Sequence, residues 1–106
     1  MNILEQNIDK IRDLCKLNNV SSLFAFGSVL TSSFRSDSDI DLVVDIDDRD
    51  PLTYSDKYFN LKFQLEEILR RQIDLLEYKS IRNKFLRSEI DRSKIQIYER
   101  DNTNLA

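Results

Sequence analysis

Two short motifs, separated by ten residues, set the strongest limits on how this chain can fold. Residues 24–28 (FAFGS) have the pattern of an apolar strand that ends at the only glycine of the protein. Residues 39–44 (DIDLVV) place two aspartates, Asp39 and Asp41, at the beginning of a second apolar strand. Because side chains alternate along a strand, both carboxylates point to the same side, about 7 Å apart along the chain. The pattern therefore predicts a site with paired acids at the mouth of a strand.

The paired acids indicate a metal site. Two neighbouring carboxylates repel each other unless a cation lies between them. Mg²⁺ suits this role, because it prefers oxygen ligands and uses one or two carboxylates together with substrate phosphates. A third carboxylate on a neighbouring strand would complete a two-metal site, and Asp74 is the candidate because it is the acid in the apolar run 73–76 (IDLL). Two ions can stabilise the attacking and leaving oxygens of an in-line phosphoryl displacement, and a carboxylate beside the attacking hydroxyl can take its proton.

Gly27 and Ser28 have the composition of a phosphate-binding turn. Glycine lets the backbone approach a phosphate closely, the amides of the following turn can point at it, and the serine hydroxyl adds a donor. Neither motif is specific alone, since Gly-Ser pairs are common and acids at a strand mouth are often ordinary solvated residues. The interpretation as a nucleotide and metal site rests on the combination: a strand, Gly-Ser, ten residues, Asp-x-Asp, and a third strand carrying an acid.

The rest of the sequence alternates between helical and strand patterns. Helical spacing of apolar residues is found at residues 3–17, 55–71 and 81–93. Runs rich in β-formers predict strands at residues 20–26, 40–46 and 73–78, with a short extended piece at 95–98. Polar connections are expected at residues 28–38, with one short helical turn, and at residues 47–51. The order predicts an α/β (α+β) fold with a small mixed sheet flanked by helices, in one domain covering residues 1–106.

Local signals set the expected helix boundaries. The Asn-Asn pair at 18–19 is a plausible end for the first helix, because Asn tolerates the left-handed conformation. Ser55 and Ser80 are the expected N-caps of the second and third helices. Phe59 and Phe63 are expected to widen the apolar stripe of the second helix.

Composition narrows the functional classes. The chain has no histidine, which excludes a Ser-His-Asp triad and a zinc site built on imidazole. A net charge of −3 with both signs mixed argues against direct nucleic-acid binding, which needs a basic face. The single cysteine, Cys15, closes no intrachain disulfide and indicates a reducing compartment, so we expect a cytoplasmic protein. No apolar run approaches the ~20 residues that span a bilayer, and no membrane partner is expected.

Gly27-Ser28, ten residues and then Asp39-x-Asp41 together resemble the signature of the DNA polymerase β-type nucleotidyltransferases. The chain is most similar to the short, single-domain minimal nucleotidyltransferases, including the MntA-like antitoxins that are paired with HEPN toxins. By motif, the resemblance covers roughly residues 20–78, and by size and element order it covers the whole length. It implies a polymerase β-like fold and a nucleotidyltransferase enzyme.

The resemblance also implies roles for the site residues. Two Mg²⁺ ions would be bound by Asp39, Asp41 and Asp74, and the phosphates of ATP by Gly27 and Ser28. The reaction would be transfer of AMP from ATP to a hydroxyl. In the antitoxin members that hydroxyl belongs to a tyrosine of the partner toxin, which implies a hetero-oligomer with a HEPN-type protein.

The sequence departs from the family at one place. Many relatives carry a small residue, an arginine and a glycine soon after Gly-Ser, whereas residues 29–32 of this chain are VLTS. This departure favours a second hypothesis, in which the domain has weak or no catalytic activity and neutralises or scaffolds a partner by binding. An antibiotic-modifying nucleotidyltransferase is a third possibility, although 106 residues leave little room for a small-molecule subsite. A structural α/β domain without a site is the fourth.

Overall fold

The computed structural model describes residues 2–32 and 34–100 of the 106-residue chain. Its helices are α1 (Ile3–Gln6), α2 (Ile8–Leu17), α3 (Pro51–Leu69) and α4 (Lys84–Ser93). Its strands are β1 (Val20–Phe26), β2 (Ile40–Ile46), β3 (Ile73–Glu77) and β4 (Ile95–Glu99). Two short 3₁₀ turns are formed by Gly27–Leu30 and Tyr78–Ser80. The predicted order of elements is confirmed, and the extended piece near the end is a strand of the sheet.

The four strands form one mixed sheet in the order β3-β2-β1-β4. Strand β1 is antiparallel to both β2 and β4, whereas β2 and β3 are parallel. A parallel pair requires a crossover connection, and α3 supplies it between β2 and β3. The predicted α+β fold with a small mixed sheet is therefore confirmed.

The two faces of the sheet have different surroundings. One face carries the main core, to which α1, α2 and α3 contribute buried residues. Alternate residues of β2 lie in this core: Ile40, Leu42, Val44 and Ile46. The intervening residues Asp41, Val43 and Asp45 face the other side, because side chains alternate with a period of two. The hydrophobic pattern of β2 thus fixes which face carries the acids.

Two helix starts differ from the predictions. Helix α3 begins at Pro51 and is capped by Asp50, whose side chain accepts a hydrogen bond from the Leu52 amide at 3.0 Å, and Ser55 lies inside it. Proline suits the first turn of a helix, because its missing amide has no partner there. Helix α4 is capped by Asn83, since the residues around Ser80 form a 3₁₀ turn instead.

The first and second helices also differ from the predictions, one in its continuity and the other in its buried face. The first is interrupted at Asn7, whose side-chain amide donates to the Ile3 carbonyl at 2.9 Å, but it ends as expected after Leu17. Phe59 and Phe63 were wrongly expected to join the core, as they are 48% and 57% exposed. The core stripe of α3 is Leu61, Leu65 and Leu69. Residues two positions from this stripe point nearly to the opposite side of the helix.

Cys15 is fully buried, and burial raises the pKa of its thiol to about 12, so it behaves as a small apolar residue of the core. Of the helices in the described ranges, none is long and apolar enough to cross a membrane.

The start of α3 is held by Asp48. Its carboxylate accepts hydrogen bonds from Lys57 Nζ at 2.7 Å, from Thr53 Oγ1 at 2.6 Å and from the Asp50 amide at 2.9 Å. These bonds lower the pKa of Asp48 from 3.8 to about 2. Because the pKa is lower in the folded state, the ionised carboxylate stabilises the fold above its unfolded pKa, and this contribution is lost as the pH falls towards about 2.

We predict that Asp48→Asn lowers stability at neutral pH and that its difference from the wild type shrinks as the pH falls from about 4 to about 2. Urea denaturation across this range measures the effect. Asp56→Asn is the matched control, since the side chain of this α3 acid has no hydrogen bond or ion pair with residues 2–32 and 34–100. A difference that stays constant down to the lowest pH would contradict the prediction.

Candidate active site

Strands β2 and β3 bring the predicted acids together. The parallel register places Ile40 beside Ile73 and Asp41 beside Asp74. Residues paired in this way share a face of the sheet, so both carboxylates lie on the face opposite the main core. Asp39 directly precedes β2, two residues before Asp41. Two acids on adjacent strands, and a third directly before β2, therefore lie at one end of the sheet.

The electrostatics of Asp41 show how close these groups are. Burial raises the pKa of the half-buried Asp41 carboxyl, and the negative charges of Asp74 and Asp39 raise it further. Asp39 and Asp74 themselves are exposed. None of the three carboxylates forms an ion pair with a residue in the described ranges. The site thus concentrates negative charge that the described protein groups leave uncompensated.

Gly27 packs directly against this cluster. Its φ of +77° is a conformation that residues with a side chain rarely adopt. A Cβ atom added at this position would lie 2.6 Å from Oδ2 of Asp41, too close for a non-bonded contact. The antiparallel register, which pairs Phe26 with Asp41, produces this approach. Access for a phosphate is the reason for a glycine expected from the motif, and the structure adds a second, which is space for the Asp41 carboxylate.

Ser28 continues into the 3₁₀ turn formed by Gly27–Leu30. The first amides of such a turn have no partner within it, so they can point at an anion. The Ser28 side chain is half-buried, and its carbonyl accepts the amide and the hydroxyl of Thr31, both at 3.0 Å. Val29 is 4% exposed and Leu30 packs against the core. The positions after Gly-Ser therefore contribute to folding and carry no cation.

Sequence reasoning missed Arg71 as a neighbour of the site. Arg71 lies just after α3, and its guanidinium donates to the carbonyls of Arg35 and Ser38. These partners are 36 and 33 residues away along the chain. No local pattern links positions so far apart, so only the fold identifies this contact.

Helix α4 lies over another part of the same face. Lys94 Nζ is 4.4 Å from the centre of the Phe24 ring, and Phe24 pairs with Val43, two residues beyond Asp41. Tyr78 donates a hydrogen bond to Asp91 on α4 at 3.0 Å. The helix therefore packs on the face of the sheet that carries the acids.

The donor set fits a hard divalent cation, although it does not form a closed cage. Within residues 2–32 and 34–100, no three Asp, Glu, His or Cys side chains already converge on one point that would hold a metal ion. Mg²⁺ does not need such a cage, because it keeps several waters and binds through one or two carboxylates plus substrate phosphates. Carboxylates without ion-pair partners beside a glycine turn provide this combination.

The contact between Gly27 and Asp41 makes a prediction about stability. Gly27→Ala should cost roughly 1–2 kcal/mol for the backbone conformation, and more because the Cβ displaces the Asp41 carboxylate. In an Asp41→Ala background only the backbone part should remain, so the two substitutions should not be additive. Urea denaturation of the four proteins in this cycle measures the coupling. An equal cost of Gly27→Ala in both backgrounds would show that the contact has no energetic effect.

Comparisons with known proteins agree with this geometry. The family described as "Polymerase beta, Nucleotidyltransferase" matches residues 9–103. A protein of Methanocaldococcus jannaschii named "Putative protein adenylyltransferase MJ1379" is 33% identical over 78 residues, which cover 74% of this chain and 77% of that protein. A solved structure of a "putative minimal nucleotidyltransferase" superposes with a TM-score of 0.73 at 27% identity, covering 90% of this chain and 95% of the other.

A second solved structure contains a "tri-AMPylated Shewanella oneidensis HEPN toxin in complex with MNT antitoxin". It superposes with a TM-score of 0.62 at 23% identity, covering 91% of this chain and 72% of that one, and this likeness shows the shared fold. The family match covers nearly the whole chain, and the expectation of a nucleotidyltransferase is confirmed. The chain belongs to the polymerase beta nucleotidyltransferase family.

Proposed function

We propose that this chain is a Mg²⁺-dependent protein adenylyltransferase that transfers AMP from ATP to a hydroxyl of a partner protein. The observation that carries the proposal is the convergence on Asp41, which lies beside Asp74 in the parallel register and against Gly27 across the antiparallel pair. The acids and the turn to which we assign the phosphates thus share one end of the sheet. The relative named as a protein adenylyltransferase supports the class of acceptor.

The proposed reaction is an in-line displacement at the α-phosphorus of ATP. A bond forms between the acceptor oxygen and this phosphorus, the bond to the bridging oxygen breaks, and pyrophosphate leaves. Asp39, Asp41 and Asp74 would hold the Mg²⁺ ions, and Gly27 with Ser28 would hold the phosphates. When bound, the ions stabilise the charge on the attacking and leaving oxygens. The carboxylate nearest the acceptor takes the proton of its hydroxyl.

We further propose that the acceptor is a tyrosine hydroxyl of a HEPN-type toxin and that the chain acts as its antitoxin. The structural neighbour in which an MNT antitoxin is bound to an AMPylated HEPN toxin supports this pairing. The acids that we assign to the site support it as well, because Asp39 and Asp74 are exposed and accessible to a hydroxyl on another protein. The proposal places the chain in the cytoplasm, as one nucleotidyltransferase domain within a hetero-oligomer.

One observation favours a second function, binding without catalysis. Residues 29–32 (VLTS) stand where the family pattern has a small residue, an arginine and a glycine, and they carry no cation; Val29 and Leu30 among them pack on the core. A protein that lacks this arginine can still neutralise a partner by forming a complex. This alternative predicts a stable complex in the absence of ATP that is insensitive to substitution of Asp39 and Asp41.

We predict that the wild-type protein, incubated with ATP, Mg²⁺ and the product of the adjacent reading frame, adds one or more AMP groups to that product, as seen by intact-mass spectrometry. Asp41→Asn should slow the transfer by about a hundredfold or more, because several kcal/mol of charge stabilisation are lost and each 1.4 kcal/mol is worth a factor of ten. Removal of Mg²⁺ by a chelator should stop the transfer.

Asp45→Asn is the matched control for this experiment. Asp45 lies on the same strand and face as Asp41, but it pairs with Lys79 at 3.1 Å and is not part of the three-acid group. Its substitution should leave the transfer rate within about twofold, since exposed ion pairs contribute little. If the partner gains no mass and Asp41→Asn binds nucleotide like the wild type, the adenylyltransferase proposal is wrong.

A further inference from the structure

The chain just before Asp39 has little hydrophobic anchoring. Residues 35–37 and Asp39 are exposed, and Ser38 is half-buried. The segment is folded into a tight turn, in which the Ser38 amide donates to the Arg35 carbonyl at 3.1 Å and the Arg35 amide donates to Ser38 Oγ at 2.9 Å. This turn lies directly before Asp39, so its position determines where that carboxylate points. Burial alone does not fix it, and another contact must.

Arg71 supplies that contact. Its Nη1 donates to the Arg35 carbonyl at 2.9 Å and to the Ser38 carbonyl at 3.1 Å, which are the two ends of the turn. The guanidinium carbon lies 4.6 Å from the centre of the Phe34 ring, and Phe34 packs against the core. A planar guanidinium can lie with its flat face on a ring while its N–H groups donate within its plane, whereas an ammonium group has no flat face to stack. One side chain therefore fixes the whole turn against the body of the domain.

The position of Arg71 along the chain links this contact to the other acids. After α3 ends at Leu69, Arg70 adopts a left-handed conformation with φ of +55°, and the chain turns into β3. The Ile40 amide then donates to the Gln72 carbonyl at 3.0 Å, which starts the parallel pairing that places Asp41 beside Asp74. Arg71 thus connects the segment that leads to Asp74 with the residue that precedes Asp39.

We propose that Arg71 is a positioning residue for the metal–nucleotide site, and that it acts by holding residues 34–38 so that the Asp39 carboxylate faces Asp41 and Asp74. This inference rests on the proposed function, because it assumes that the three carboxylates share bound cations. Arg71 itself contacts neither metal nor nucleotide in this role. Its effect is transmitted through the backbone of Ser38.

The test compares Arg71→Gln with Arg70→Gln. Both substitutions remove one positive charge from the end of α3, but Arg70 is exposed and its side chain makes no hydrogen bond or ion pair with any residue of the described ranges. The probe is Mn²⁺ together with a non-hydrolysable ATP analogue, and electron paramagnetic resonance measures the affinity of the protein for Mn²⁺. Arg71→Gln should weaken Mn²⁺ binding about 10–100-fold, as is typical when a group that orients a metal ligand is removed. Arg70→Gln should bind like the wild type.

A double variant tests the route of the effect. If Arg71 acts through Asp39, Arg71→Gln should change the affinity less than about twofold in an Asp39→Asn background, because the ligand that it positions is already lost. A merely structural role would lower the affinity by the same factor in both backgrounds, and that result would overturn the proposal. Wild-type affinity of the single Arg71→Gln variant would overturn it too.

Arg71→Lys keeps the experiment decisive if Arg71→Gln does not fold. Lysine retains the charge, but it lacks the planar group that lies on the Phe34 ring and fixes the direction of the donors, so Mn²⁺ binding should still weaken several-fold. Wild-type affinity of this variant would overturn the proposal. If the wild-type protein itself binds no Mn²⁺ with the nucleotide, the proposed function fails and takes this inference with it. If the wild-type protein and Arg71→Gln bind Mn²⁺ with the nucleotide equally well, the proposed function stands and the positioning role of Arg71 is wrong.

Discussion

The candidate site depends on the pairing of β2 with its two neighbouring strands, which places Asp41 next to Asp74 and Gly27. The Asp41 carboxylate lies beside Asp74 through the parallel register and against Gly27 through the antiparallel one. The backbone hydrogen bonds between the strands set both of these positions. A slip of one residue in the register of β2 would turn every side chain of that strand to the opposite face and so separate Asp41 from Asp74 and Gly27. The core residues of β2 prevent that slip, because Ile40, Leu42 and Val44 are buried only in the observed register. Hydrophobic packing on one face thus holds an acidic group on the other.

This arrangement places unfavourable electrostatics where the proposed chemistry needs them. Burial and two neighbouring negative charges raise the pKa of Asp41, so its ionised form is destabilised in the protein alone. Because residue 27 is a glycine, the backbone of the turn lies close to the Asp41 carboxylate. The first amides of that turn can point at an anion. In the function that we propose, cations bound with a polyphosphate would relieve the repulsion among the acids, while the polyphosphate would accept hydrogen bonds from the amides. The charges of the acids and the turn are thus those expected of a site that binds a metal ion and a nucleotide together.

The spacing of apolar residues and the β propensity of the sequence predicted the strands that carry the acids. Neither signal predicts contacts between residues that are distant in the sequence. The strands 20–26 and 40–46 have the predicted boundaries, because each is a β-forming run closed by polar or glycine residues. Asp74 was placed on a strand by its apolar neighbours, but nothing local specified that its partner is Asp41. The helix caps at Ser55 and Ser80 were wrong because Asp50 with Pro51, and Asn83, are stronger start signals in their own context. The contacts of Arg71 with Arg35 and Ser38 could not be predicted, since tertiary structure brings these residues together.

The openness of the acidic group bears on what the acceptor can be. Asp39 and Asp74 are exposed, and the turn after Gly27 directs Val29 into the core. A small-molecule acceptor is normally held in a concave pocket that buries most of its surface, and the acids at the strand ends stand outside the core. A hydroxyl carried on the surface of another protein needs no such pocket, because the partner's own interface holds it in place. The exposure of Asp39 and Asp74 therefore agrees with the protein acceptor that we propose, whose binding surface would align the hydroxyl.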